Sequence, residues 1–377
     1  MSVPFVHLGD VHLGAWPGGG LTAKKAAIRR AEAFATCRSC LQYVHDNDIP
    51  LVLIAGDLFE YDSVPRNLVM EVRDLMGALT AAQICIAAGN HDWAAADSYY
   101  RTLAWPGNVH LFLNEWRCIH LPELDVKVHG MGFTAPELTG PLLREYNVSA
   151  AADDTSYLVI VLHGDVVGGA AGSRYLPINR TDLLGSGADY VALGHIHKPQ
   201  VVCERAGKAV AAYCGALEPQ DAGEEGQHGF YQGTLHKGGA SLEFIPAAVR
   251  SYKNIPIDIS DCATMDQVIE HVQSALRGVS TDDLVRVALG GAVDAQAEID
   301  LARLEPLGAE YFHFRLDDQT TAAYNLDELA QGCSARAVFV RHMRALLDEV
   351  EGRDKDVAAL ALQVGLQALG GQEVKLP

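Results

Sequence analysis

The chain has 377 residues, 49% hydrophobic and 20% charged, and its 29 basic and 48 acidic side chains leave a net charge of −19. That length buries a full core and has room for one large domain plus a smaller one. The acidic balance excludes a broadly basic nucleic-acid-binding surface, so tight DNA binding would need metal ions or a partner.

The chain opens MSVPFVHLGD, without a basic or apolar leader, and no apolar run reaches the roughly 18 residues of a membrane span. A cytoplasmic setting with no membrane contact is the expectation. PFVHLGD, PLVLIAGD and QICIAAGN have the continuous apolar character of buried parallel strands. Helices are predicted between them, near 22–46 and 65–80. The first of these carries Cys37 and Cys40. No second pair follows at zinc-ribbon spacing, so the eight cysteines are read as buried free thiols. YLVIVLHGD and ADYVALGHIH are further strands. Strand-rich segments at 199–219 and 228–247 suggest an antiparallel second half to the sheet system. From 249 a strand–helix–strand–helix–strand unit is predicted, its helices at 264–278 and 297–309, followed by a helical tail at 334–354 and 355–370 broken around Gly352.

Each early strand ends in polar residues: Asp10 and His12, Asp57, Asn90 and His91, His163, and His195 with His197. In an open α/β sheet the carboxyl ends of the strands are where ligands sit. Two carboxylates, an amide oxygen and four imidazoles suit a pair of divalent cations about 3.5–4 Å apart, and manganese, iron or zinc better than magnesium. In an extended D-x-H tip Asp10 and His12 would point the same way and grip one ion. His195 and His197 could feed the two ions separately. Gly9, Gly56, Gly89, Gly164 and Gly194 would let the backbone turn beside the centre.

The ordered series D-x-H, GD, GNHD, HG and GHIH resembles the calcineurin-like metallophosphoesterase family. Within it, CGALEPQDAGEEGQHGFY at 214–231 and the tail sequences VFVRHMRALLDEVEG and QVGLQALGGQEV resemble the SbcD-type nucleases, in particular their shorter YhaO-like bacterial branch. Ala216 and Pro219 depart from that pattern, which usually has serine and a basic residue there.

The resemblance implies a four-layer αββα sandwich over 1–248, a small α/β cap over 249–320 and a helical C-terminal segment over 321–377. It implies one ion on Asp10, His12 and His197 and another on Asn90, His163 and His195, with Asp57 bridging and manganese as the expected metal. His91 matches the family's catalytic histidine that binds no metal. Glu60 stands where related enzymes place a residue that orients this histidine; a solvated loop acid is the alternative. The expected activity is phosphodiester cleavage, as an exo- or endonuclease in DNA repair. The expected partners are DNA, an SbcC-type ATPase contacting the tail, and a second copy in a homodimer. The metal core sets the reaction class and not the substrate. A phosphodiesterase or pyrophosphatase on nucleotides or small phosphoesters, or a non-catalytic interaction protein of the same fold, stay open. Loops 16–25, 63–67 and 168–175 combine glycine or proline with basic residues and are candidate DNA contacts.

Overall fold

The computed structural model describes residues 2–18, 20–140, 142–146, 156–167, 172–294 and 299–370. They form two compact units, Met1–Tyr252 and Lys253–Pro377.

The first unit opens with β1 (Val3–Leu8), α1 (Ala23–Asp46), β2 (Leu51–Ala55), α2 (Arg66–Ala78) and β3 (Gln83–Ala87). Short elements follow: α3 (Tyr99–Thr102), β4 (Val109–Phe112), β5 (Arg117–Leu121), β6 (Val126–Gly130) and α4 (Leu142–Glu145). Then come β7 (Tyr157–His163), α5 (Arg180–Gly185), β8 (Tyr190–Gly194), β9 (Gln200–Arg205), β10 (Lys208–Tyr213), β11 (Gly229–His236) and β12 (Gly239–Pro246).

The strands join in the order β4-β3-β2-β1-β11-β12-β10-β8-β7-β6-β5, with β9 on β10. β12 meets β10 at the single pairing of Ala209 with Ala240, so the ladder is nearly interrupted there. The two halves fold face to face. Alternate residues of the first half (Phe5, Leu51, Leu53, Ala55, Cys85) share one buried cluster with Val159, Val161, Tyr190 and Ala192 of the second. Their neighbours Val6, Leu8, Val52, Ile54 and Ile84 pack outward on Cys37, Cys40, Leu41 and Val44 of α1 and Val69, Val72 and Met76 of α2. Ile160, Leu162, Val191 and Leu193 pack outward around Leu183 of α5. With both faces covered, period-two alternation disappears and these strands are predominantly apolar. The result is the expected four-layer αββα arrangement.

β1, β2 and β3 are parallel, as are β7 and β8, so each half presents its carboxyl ends along one edge. The antiparallel expectation holds for β9 with β10 and for β11 with β12, whereas β10 joins β8 in parallel. Of the cysteines expected to be buried, Cys37, Cys40, Cys85, Cys203 and Cys214 are, but Cys118 and Cys333 are exposed and Cys262 is partly so.

The second unit contains β13 (Tyr252–Asp258), whose first residue closes the first unit, then α6 (Met265–Ala275), β14 (Leu284–Gly290), β15 (Ala292–Asp294), β16 (His313–Asp318) and β17 (Thr321–Ala323). β13, β14 and β16 form one sheet, with Val285, Val287 and Leu289 packed on Val268 and Val272 of α6. The helix expected at 297–309 is instead two short 3₁₀ turns, Leu301–Arg303 and Glu305–Gly308, while 295–298 lie outside the described residues. Pro306 cannot continue an i→i−4 ladder, and Gly308 lies so close to the Phe314 ring that a Cβ there would stand 2.0 Å from it. The tail forms α7 (Leu326–Leu329), α8 (Ala335–Glu349) and α9 (Gly352–Leu369), the last two packed through Val340, Met343, Ala358, Leu362 and Leu366. The break falls at 350–351, and Gly352 opens α9 with φ +57°. No helix among the described residues is long and apolar enough to cross a membrane.

Candidate metal centre

The strand-end residues meet at the shared edge of the two half-sheets. The D-x-H tip is not extended there. Asp10, His12, Asp57 and His195 have φ of 49°, 50°, 50° and 105°, in or near the left-handed region that non-glycine residues avoid. The tip is wound along the Asp57 loop: the N–H groups of Val11 and His12 both donate to the Asp57 carbonyl, at 2.9 Å. Strained backbone persists where surrounding contacts over-determine it, and such strain clusters at functional sites. Of the five glycines expected to supply the turns, only Gly56 has positive φ, at 88°. Gly89 is needed for close approach instead, because a Cβ there would lie 2.1 Å from Asp57 Oδ1.

Asp10, His12 and His197 offer ligand atoms within 4.8 Å of one another, as do Asp10, Asp57 and His163. His12 Nδ1 donates to Glu60 Oε1 at 2.7 Å and His197 Nδ1 to Glu224 Oε1 at 2.6 Å. Their Nε2 atoms face each other at 3.2 Å. Two neutral imidazoles so oriented would oppose lone pairs, and a shared cation removes that repulsion. His163 repeats the pattern. Its Nδ1 donates to the Ala55 carbonyl at 2.9 Å, leaving Nε2 against Asn90 Oδ1 at 2.8 Å and Asp57 Oδ2 at 3.2 Å, both acceptors. His195 Nδ1 lies 3.2 Å from the same Asn90 oxygen. Asp57 Oδ2 stands between the groups, 3.7 Å from His12 Nε2. All seven predicted donors therefore converge, and the donor set fits a pair of divalent cations.

The electrostatics have the same origin. Burial works against the charged forms of His163 and His197, but Asp57 beside the first and Glu224 beside the second prevail and push both up to about 9. Burial, assisted by the His163 charge, pulls His195 down to about 4. Burial pushes Asp10 up, whereas at Asp57 the surrounding histidines outweigh burial and hold the carboxyl well below its usual range. In the metal-free protein, protons stand in for part of the positive charge that cations would bring.

His91 lies at the rim, its side chain 47% exposed. Its backbone N–H donates to Asp57 Oδ1 at 2.8 Å, and its Nδ1 meets Glu60 Oε2 at 3.1 Å. Glu60 thus holds His91 with one oxygen and His12 with the other. Burial opposes ionisation of Glu60, but these two bonds hold its carboxyl at about 2. The Glu60 bond is the main reason His91 is pushed above its ordinary value.

Two residues beyond the expected set shape the centre. Buried Asp92 accepts from the N–H groups of Leu58 and Gly89, at 2.8 and 2.6 Å, and from the Tyr100 hydroxyl at 2.6 Å. It ties the Asp57 loop to the Asn90 loop. Burial and the neighbouring Asp57 push it up to about 6. Its place in GNHD was the available signal. Glu224 lies in the 214–231 segment, whose acidic pair marked it without assigning a partner. Glu218 of that segment is instead buried against Arg29 at 2.9 Å and Thr36 at 2.6 Å on α1.

Of the candidate DNA loops, residue 19 and residues 168–171 lie outside the described residues. Loop 16–25 presents Trp16, 67% exposed, with the Arg30 guanidinium 4.5 Å from its ring centre. A small crevice is lined by His12, Gly14, Pro17, Arg29 and Arg30.

The calcineurin-like phosphoesterase family model matches residues 3–199. The uncharacterized metallophosphoesterase YhaO of Bacillus subtilis is 27% identical over 352 residues, covering 87% of this chain and 84% of the relative. The DNA double-strand break repair protein Mre11 of Aeropyrum pernix is 29% identical over 234 residues, 57% of this chain and 53% of that protein. Among solved structures, the purple acid phosphatase PPD1 from yellow lupin (Lupinus luteus) seeds aligns with a TM-score of 0.40 and 15% identity, over 66% of this chain and 52% of that one. The chain belongs to the calcineurin-like phosphoesterase family, metal-dependent hydrolases of phosphoester bonds.

Proposed function

We propose that this protein is a two-metal phosphodiesterase acting on DNA as an exo- or endonuclease of the SbcD type in DNA repair, with manganese as its metal. The observation that carries the reaction is the convergence of Asp10, His12, Asp57, Asn90, His163, His195 and His197 beside a rim-exposed His91. In this reading Asp10, His12 and His197 hold one ion, Asn90, His163 and His195 hold the other, and Asp57 is shared. Two bound ions would neutralise the phosphodiester and lower the pKa of a shared water. His91, kept cationic by Glu60, is placed to stabilise charge on the departing oxygen and to give it a proton.

DNA as substrate is supported by the Mre11 relative, whose name describes a DNA-break repair protein. The Trp16–Arg30 pair supports it too, since it offers an exposed aromatic ring and a cation that lines the same small crevice as His12. The same reading places the protein in the cytoplasm, with an SbcC-type ATPase on the helical tail and a second copy as partners. Val338, Leu346, Val357 and Leu360 give α8 and α9 an exposed apolar component for the ATPase.

The net charge of −19 favours a second reading, hydrolysis of nucleotides or small phosphoesters. Assays with manganese on linear duplex DNA, circular single-stranded DNA and a chromogenic diester separate the two. Cleavage of either DNA supports the nuclease; turnover of the small diester alone rejects it.

A further inference from the structure

We propose that Glu224 is a positioning residue of the metal centre, which aims His197 and thereby tightens the ion position formed by Asp10, His12 and His197. The inference rests on the dinuclear reading above and extends it to a residue outside the seven donors.

The two ion positions differ behind the ligands. Both imidazoles of the first position have a carboxylate on Nδ1: Glu60 at 2.7 Å for His12 and Glu224 at 2.6 Å for His197. Such a partner fixes the tautomer, aims Nε2 at the ion and strengthens it as a donor. In the second position, Nδ1 of His163 donates to a neutral backbone carbonyl, that of Ala55, at 2.9 Å. His195 turns Nδ1 itself toward the centre, 3.2 Å from Asn90 Oδ1. Asn90 adds only a neutral oxygen there. With Asp57 shared and Asp10 within reach of both groups, the first position has two further carboxylates directly behind it, Glu60 and Glu224. A divalent cation is attracted by that excess charge and meets better-held donors there.

Glu224 is itself held for this task. Its Oε2 accepts from the Gln220 N–H at 2.8 Å, and its backbone carbonyl accepts from His228 Nε2 at 3.0 Å. The 214–231 segment thereby acquires a role in the metal centre without supplying a ligand. Glu60 cannot isolate this effect because it also holds His91. Glu224 touches only the first position.

The test is manganese titration of the full-length, metal-stripped protein, followed by calorimetry and by electron paramagnetic resonance of the free ion. Wild type should bind two ions. Glu224→Gln should weaken one of them by about 10- to 100-fold and leave the other unchanged. Glu224→Asp should fall between wild type and Glu224→Gln, and His163→Ala should lose the other ion only. A Glu224→Gln variant that holds both ions as wild type does overturns the inference while leaving the dinuclear reading intact. A wild-type protein that binds no manganese overturns both.

Discussion

Gly89→Ala probes how tightly the centre is built. The glycine has no unusual φ, so the backbone accepts alanine and the whole effect comes from the added methyl. That carbon would stand 2.1 Å from Asp57 Oδ1 and 2.6 Å from the Asp57 backbone nitrogen, where ordinary contact begins at 3.4 Å. The carboxylate must withdraw by about an ångström, and His91 N–H, now 2.8 Å from Oδ1, loses its acceptor. Overpacking costs roughly 1–3 kcal/mol and an unpaired, partly buried donor about as much, so a loss of about 2–6 kcal/mol is expected. Asp57 is also the shared ligand, and a misplacement of that size costs about 100-fold in turnover. Urea unfolding and manganese-dependent hydrolysis of a chromogenic diester measure both. A variant with the wild-type midpoint and rate would refute the packing argument.

Other expectations follow from the same geometry. His91→Ala should retain both ions yet lose about 10²- to 10⁴-fold in turnover; metal analysis of the purified variant checks it, and loss of both ions would contradict the assignment. His163 and His197, at about 9, are protonated at pH 7.5 in the metal-free protein, so loading should release about two protons, measurable by calorimetry in buffers of different ionisation enthalpy. Manganese affinity should accordingly rise with pH up to about 9. His7, buried between the sheets and bonded to Tyr190 at 2.8 Å, is pulled down by burial to about 3. Its folded value lies below its unfolded one of 6.5, so its contribution is complete above pH 6.5 and is lost as pH falls toward 3. The change is about 4–5 kcal/mol, and His7→Gln should flatten that part of the acid-unfolding curve.

The sequence was most readable where both faces of a strand are buried. β1, β2, β3, β7 and β8 are predominantly apolar runs, and the site residues follow directly on them. β4, β5 and β6 escaped because β4 and β5 are the two end strands of the sheet and β5 carries exposed Arg117, Cys118 and His120 around its apolar residues. Their pattern is weak over so few residues. The seven donors were legible as a set, but not the backbone that aims them: left-handed Asp10, His12, Asp57 and His195 are dictated by the wrap of one loop along another. The partners of Asp92 and Glu224 were invisible for a similar reason. Asp92 bonds back to the loop at 57–59 and Glu224 reaches His197, 27 residues away, so neither contact leaves a periodic trace.

The account is tested most directly by a crystal of the full-length protein soaked in manganese, with anomalous scattering recorded. Two peaks about 3.5–4 Å apart are predicted. One should be held by Asp10, His12 and His197, the other by Asn90, His163 and His195, with the Asp57 carboxylate touching both. A single peak, or manganese bound only away from these seven side chains, would contradict it.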